Sequence, residues 1–419
     1  MKRLAGAGRI HVVGAGLAGL SAAISAMDRG VQIIVSEASK FAGGRCRSYH
    51  DSLLDMVIDN GNHLVLSGNV AVGRYLHAIG AEDRLTGPIH PEFSFLDCGT
   101  GQRWTLKPND GRIPWWILDP ARRVPHTGLR DYLTLAGLMR RHPGRRLDEV
   151  IRCDGTFWDK FLRPVLVSAL NTAPEEATAD LAGAVIRETL GKGGRYARPL
   201  LATSNLAAAF VDPALDCLHQ NGVEVRFGRS LRAVRLEKDR LAGLIFDDGE
   251  ETLGSLDSAI LAIPPWAIQK LLPGVTVPDA FRAIVNAHFR TVAPSSAPAM
   301  IGLIGGTVDW VFAFHDRVSV TVSAADHLLD VDSDALALLL WRDVAAAYGL
   351  PGPVPPVRIV KEKRATFAST PEQELRRPSV RSPWANLFLA GDWTNTGLPA
   401  TIEGALRSGE NAATIALSG

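Results

Sequence analysis

The sequence predicts an α/β protein built on a doubly wound parallel sheet, and three observations predict it. A glycine-rich turn, Val13-Gly14-Ala15-Gly16-Leu17-Ala18-Gly19, falls between an apolar strand and an apolar helix. Near the other end, the strand-like run Leu387-Phe-Leu-Ala-Gly-Asp392 precedes a second helix. Between them, strand texture returns at Val223-Glu-Val-Arg-Phe227 and Ser258-Ala-Ile-Leu-Ala-Ile263, after a long stretch of different character. Sheet segments so far apart predict one discontinuous domain with another inserted into it.

Taken in order, Arg9 to Val13 reads as a buried strand, Leu17 to Asp28 as a helix ending at Gly30, and Val31 to Ser36 as a β-branched strand. Together they predict a βαβ unit. Residues 96 to 200 mix Trp, Pro and Arg with helical pieces such as Leu129 to Arg141. Leu231 to Leu236 and Leu241 to Asp247 read as a hairpin around Lys238-Asp239-Arg240, and Pro264-Pro265 stops the strand before it. Strands are expected between 275 and 365, including His288 to Val292 and Val318 to Val322, with a helix from Asp334 to Tyr348 and a loop at Pro351 to Pro356. Asn386 to Ala390 is the last strand, and a final helix opens near Ala400. The expected division is 1–95, 206–270 and 366–419 for the doubly wound domain, and 96–205 and 271–365 for a mixed α+β insertion that receives the substrate.

Composition bounds the function. The 419 residues carry 45 basic and 44 acidic side chains, a net charge of +1, which gives no general field for nucleic acid. Four scattered cysteines, with no C-x-x-C pair, predict neither a zinc site nor a disulfide framework, and no metal is expected. A reducing cytoplasm is the expected compartment. Met1-Lys2-Arg3 before an apolar run resembles a signal peptide, but cleavage would destroy the glycine motif. The Arg140 to Arg146 cluster reads first as a solvated helix end, with a phosphate or membrane-surface contact as the alternative.

The glycine turn is G-x-G-x-x-G in its full context. Gly14 permits the tight turn, Gly16 lets backbone approach a pyrophosphate, and Gly19 lets helix and strand pack closely. The helix start at Leu17 and Ala18 offers free N–H groups and a positive dipole end to phosphate. Glu37, followed by Ala38, ends the second strand, where a carboxylate accepts hydrogen bonds from a ribose diol. Gly43-Gly44-Arg45 suits a second pass of backbone near phosphate, with Arg45 pairing to it. These features predict a Rossmann-like dinucleotide-binding domain.

The run Glu37-Ala-Ser-Lys-Phe-Ala-Gly-Gly-Arg45 resembles the signature of the flavin family of amine oxidases and carotenoid desaturases. Gly391-Asp392 resembles that family's closing motif, whose aspartate bonds the ribityl chain or a phosphate. The helix opening at Ala400, Thr401 and Ile402 then faces the pyrimidine edge of the flavin. Asp59-Asn-Gly-Asn-His63, Ala169-Leu-Asn-Thr172, Asn286-Ala-His-Phe-Arg290 and Asp309-Trp-Val-Phe312 narrow the resemblance to the hydroxysqualene dehydroxylases of bacterial squalene and hopanoid synthesis.

That resemblance implies a hydride delivered by reduced FAD to the allylic carbon bearing the hydroxyl of hydroxysqualene, a triterpene, with squalene and water as products. It places Gly61 and Asn62 near the flavin ring and makes His63 the residue to watch as proton donor. Asn171 and Arg290 are candidates to orient the hydroxyl, and His288 alternates with Arg290 on one predicted strand. The bland alternative for each is a satisfied structural residue. Trp115, Trp116, Ile117 and Leu118 read either as a tunnel or membrane contact, peripheral on the inner face of the cell membrane, or as ordinary packing. No second G-x-G-x-x-G occurs, so the electron donor lies outside this reading. The rivals are an oxidative enzyme of the same fold, either a carotenoid desaturase or an amine oxidase with Trp393 in its aromatic cage, and a flavin-stabilised lipid carrier.

Overall fold

The computed structural model of the chain describes residues 8–418, so the Met1-Lys2-Arg3 opening lies outside the described residues. β1 (Arg9–Val13), α1 (Leu17–Ala26) and β2 (Gln32–Ser36) form the expected βαβ unit. β3 (Glu224–Arg226), β4 (Ser258–Leu261) and β5 (Leu387–Leu389) complete a five-stranded sheet in the order β3-β2-β1-β4-β5. Every neighbouring pair is parallel. A parallel sheet is covered on both faces, which is why these strands read as continuous apolar runs.

The two faces use alternate residues. Val12, Val35, Ile260 and Phe388 point toward α1 and the last helix, α2 (Ile402–Ala416). Val13, Ala259, Leu261 and Leu389 point toward an antiparallel meander of Leu231–Glu237, Arg240–Phe246 and Gly249–Thr252. Fully burying each Val, Leu or Ile contributes roughly 1.5–3 kcal/mol. α1 and α2 lie so close that a Cβ on Gly409 would collide with the Ala18 carbonyl. The buried Ser21 hydroxyl donates to the Leu406 carbonyl at 2.8 Å and fixes their register.

The second layer is a seven-stranded mixed sheet. Its order is Val357–Phe367, Phe281–Phe289, Val318–Val322, Trp310–Ala313, Met300–Ile304, Phe93–Asp97 and Arg103–Leu106. Only the Met300–Ile304 and Phe93–Asp97 pair is parallel. One face (Val285, Ala287, Val318, Val320, Val322) packs on the helix Ser333–Tyr348. That helix starts where it was expected because the Asp332 carboxylate accepts from the Asp334 and Ala335 N–H groups. The front face presents Asn286, His288, Ser319 and Thr321 at one end and Met300, Trp310, Phe312 and Phe95 at the other.

Three expectations differ from this arrangement. The strand expected at His288 to Val292 runs from Phe281 to Phe289, because an apolar period-two pattern continues upstream of the polar residues that drew attention. The helix expected from Leu129 to Arg141 is a 3-10 turn, Leu129–Leu133, joined to a short α-helix, Thr134–Leu138. The strand Phe93–Asp97 straddles the expected boundary between 95 and 96.

Candidate flavin site

β1 delivers the chain into the glycine turn. Gly14 has φ of 104°, its N–H donates to the Ser36 carbonyl at 2.7 Å, and a side chain there would strike Ala262. A Cβ on Gly19 would collide with the Gly14 carbonyl, so α1 can sit this close only without one. Gly16 differs: nothing lies within 4 Å of where its Cβ would be. It is also the N-cap of α1, so Leu17 and Ala18 present unpaired N–H groups to that open space.

Gly43 and Gly44 close the other side. The Gly43 N–H donates to the Ala15 carbonyl at 2.8 Å, and Gly16 and Gly43 form an isolated parallel bridge. Two stretches of backbone without side chains therefore run side by side. Glu37 braces the turn: one carboxylate oxygen accepts from Ala15 N–H at 2.7 Å and the other from Ser39 N–H at 2.8 Å. Each oxygen keeps a further acceptor position for a diol, and Ala38 is exposed beside it. This cradle fits a pyrophosphate and ribose.

Arg45 crosses to the far end of the chain. Its guanidinium donates to Asp392 Oδ1 at 2.7 Å and to the Ala365 carbonyl. An ion pair thus joins the opening and closing motifs. Asp392 is buried, and the Gly391 N–H donates to Ser408 Oγ at 2.8 Å. Thr401 caps α2 by accepting from the Gly404 N–H at 3.0 Å, with Ala400 and Ile402 on either side. Trp393 does not wall a cage: its ring is buried in the core and its indole N–H donates to the Ile263 carbonyl at 3.1 Å.

His63 feels this ion pair. Burial, then the nearby Arg45 charge, lowers its imidazole to about 4, with Asp392 opposing. At neutral pH the ring is uncharged, a hydrogen-bonding group and a weak acid. The turn before it is bolted to the inserted sheet. Asn62 Nδ2 donates to the Val320 carbonyl at 3.0 Å and to Thr321 Oγ1 at 3.2 Å, while Gly61 packs on Asn286. The buried Asn62 Oδ1 has no partner among the described residues, leaving an acceptor at the turn.

The two remaining candidates stand in different surroundings. Asn171 is buried in the left-handed conformation (φ 46°) after the helix Arg163–Leu170. Its amide donates to Thr366 Oγ1 at 3.0 Å and its oxygen accepts from Ala324 N–H at 2.6 Å, so it is fully engaged. Arg290 is exposed beyond the strand end, with its N–H on the Pro356 carbonyl. It does not act with His288, which is wholly buried, shares a 2.8 Å hydrogen bond between Nδ1 and Ser319 Oγ, and is lowered to about 3, by burial first.

Sequence reasoning missed Arg377 and Glu403. Buried Arg377 holds the carbonyls of Asp392 and Thr394, and so shapes the closing turn. Glu403, also buried, accepts from Ala71 and Val72 N–H at 3.1 and 3.0 Å, capping the helix Val70–Ala78 from α2. Nothing in the sequence around Glu403 signals a partner over 330 residues away. Asp309 has its carboxyl raised to about 6 by burial, against its bond from Ser323 N–H. The buried Cys46 thiol is pushed up to about 12, which removes it as a nucleophile. The described residues hold no cluster suited to a metal ion, and no helix among them is long and apolar enough to cross a membrane.

This construction, a glycine cradle closed by a Gly-Asp turn above a mixed sheet, is that of a flavin-dependent oxidoreductase. The family model described as flavin containing amine oxidoreductase matches residues 17–417. The hydroxysqualene dehydroxylase of Sinorhizobium fredii is 48% identical over 409 residues, covering 98% of this chain and 98% of its own. That of Zymomonas mobilis is 46% identical, covering 97% and 99%. Among solved structures, an oxidoreductase from Methanosarcina mazei aligns with a TM-score of 0.74 at 15% identity, covering 96% of this chain and 99% of that one. The chain belongs to the flavin containing amine oxidoreductase family and, within it, to the hydroxysqualene dehydroxylases.

Proposed function

We propose that this chain removes the hydroxyl of hydroxysqualene reductively, giving squalene and water, with FAD as its flavin. The observation that carries this reading is the two-ended cradle, in which Arg45 of the opening motif meets Asp392 of the closing one, in a chain so similar end to end to known dehydroxylases. When bound, reduced FAD would supply both hydrogens of the reaction, a hydride to the allylic carbon in place of the departing oxygen and a proton that completes the water.

The chain's own residues do the rest. Segments 1–95, 206–270 and 366–419 hold the cofactor, and 96–205 and 271–365 cover the substrate. Gly16, Gly43 and Gly44 let backbone reach the pyrophosphate, and the α1 N-terminus stabilises its charge. Glu37 takes the ribose. Asn62 fixes the turn that places His63, whose neutral ring donates a hydrogen bond to the hydroxyl oxygen. The aromatic end of the front face (Phe95, Trp310, Phe312) excludes water, so the electron-poor carbon meets hydride before hydroxide. The chain holds one dinucleotide motif, so reduction of the flavin falls to a separate donor.

An amine-oxidising role is disfavoured by Trp393, whose ring lies in the core. The test is direct. Holoenzyme reduced anaerobically with dithionite is mixed with hydroxysqualene, and squalene should form as the flavin bands return. Amine oxidation in air with no squalene under reduction would overturn the reading.

A further inference from the structure

The stretch 111–146 takes no part in the cradle. It folds as short helical turns, Trp115–Leu118, Leu129–Leu133 and Thr134–Leu138, and divides its apolar side chains between two sides. Trp116, Tyr132 and Leu138 are buried, with Trp116 edge-on to Tyr132 at 5.3 Å. Ile113, Leu118 and Leu133 stand 79%, 64% and 68% exposed, and Trp115, Leu129 and Met139 between 43% and 50%. Leu129, Leu133 and Met139 fall within eleven residues, on two successive short turns. Exposed apolar residues are ordinary singly; this concentration marks an interaction surface.

The charge of the stretch says what kind. Residues 111–146 hold eight arginines and two aspartates, in a chain whose net charge is only +1. Arg112, Arg130, Arg140 and Arg141 make no ion pair among the described residues. The Arg122 guanidinium lies 4.7 Å over the Trp115 ring, a pairing suited to a polar–apolar boundary. A second copy presenting the same basic face would be repelled, whereas an anionic surface is attracted.

We infer that this face docks on the surface of an anionic lipid bilayer, with the exposed apolar side chains entering the headgroup boundary and the arginines pairing with lipid phosphates. The contact lies along the membrane, since no described helix can cross it. The buried side of the same turns leads inward. Ring centroids step from Tyr132 to Phe157 at 4.4 Å, to Phe161 at 5.6 Å and to Phe95 at 6.3 Å, ending 5.7 Å from Trp310 on the front face. If the proposed function holds, the docked face is joined to the front face by this packed aromatic core rather than by polar side chains.

Sucrose-loaded vesicles of phosphatidylcholine alone, or with phosphatidylglycerol, test the docking by sedimentation of the holoenzyme. Binding is expected to the anionic vesicles and to fall by roughly tenfold or more in Leu133→Glu or in Arg140→Glu/Arg141→Glu, and in high salt. Those variants should retain turnover of substrate in detergent micelles and lose it for substrate delivered in vesicles. Wild-type protein left in the supernatant with both vesicles would overturn the inference. So would a dimer in sedimentation velocity that Leu133→Glu dissociates. Failure of micelle turnover by the wild type would count against the proposed reaction alone, because vesicle partition is read without it.

Discussion

Arg45 and Asp392 stand 347 positions apart in the chain and meet at 2.7 Å. The pair closes the cradle by joining its first and last motifs. Asp392 is buried while the arginine is partly open to solvent, so the two ends respond differently to substitution. Asp392→Ala leaves a cation without its partner beside the ligand. A charged hydrogen bond contributes about 1.5–3 kcal/mol, so affinity for FAD should fall on the order of tenfold to a hundredfold. Fluorescence titration of apoprotein measures this, and unchanged affinity would show that the pair merely decorates the site.

Gly19 and Gly16 of the motif should fail in different ways. Gly19→Ala collides with the Gly14 carbonyl and should destabilise the apoprotein by about 1–3 kcal/mol, as overpacking does. Gly16→Ala meets nothing in the apoprotein, so its melting temperature should hold while flavin affinity drops. Thermal scans with and without FAD separate the two, and equal behaviour of both variants would contradict the cradle.

Asn171→Ala should lower stability, by about 1–3 kcal/mol for the buried groups left unpaired, yet leave the rate of the folded holoenzyme near normal. Arg290→Ala should change neither. A large loss of kcat in Arg290→Ala with unaltered melting would restore it to the site.

His288 makes the fold acid-sensitive. Its imidazole is lowered to about 3 in the folded chain from an ordinary 6.5, chiefly by burial and then by Arg317. Between those values the unfolded chain binds a proton that the folded chain refuses, so stability present above about pH 6.5 is lost as the pH falls toward 3. His288→Gln should show a shallower fall of melting temperature over that range. Parallel slopes for the two proteins would assign the acid sensitivity elsewhere.

The doubly wound sheet was legible because its information is local. The glycine turn, the β-branched runs and the Gly-Asp turn each state their geometry within a few residues. Val318 to Val322 was legible for the same reason. Arg377 and Glu403 were not, because what each does depends on backbone brought near only by tertiary packing. Residues 111–146 were half legible: Trp115 and Trp116 are adjacent in sequence, yet one is half exposed and the other buried. A 3-10 turn parts neighbours in a way that composition does not announce. His63 stands out by motif, but burial first, and then the charge of Arg45, a neighbour in space, keep its ring neutral.

The packing of the first helix against the last, with Gly409 on the Ala18 carbonyl, has a consequence for biosynthesis. A nascent chain whose last helix has not yet emerged lacks an element that covers one face of its central sheet. Docking of that helix must therefore precede loading of the cofactor, and a chain without its fifteen residues would be an aggregation-prone apoprotein rather than a weakened enzyme.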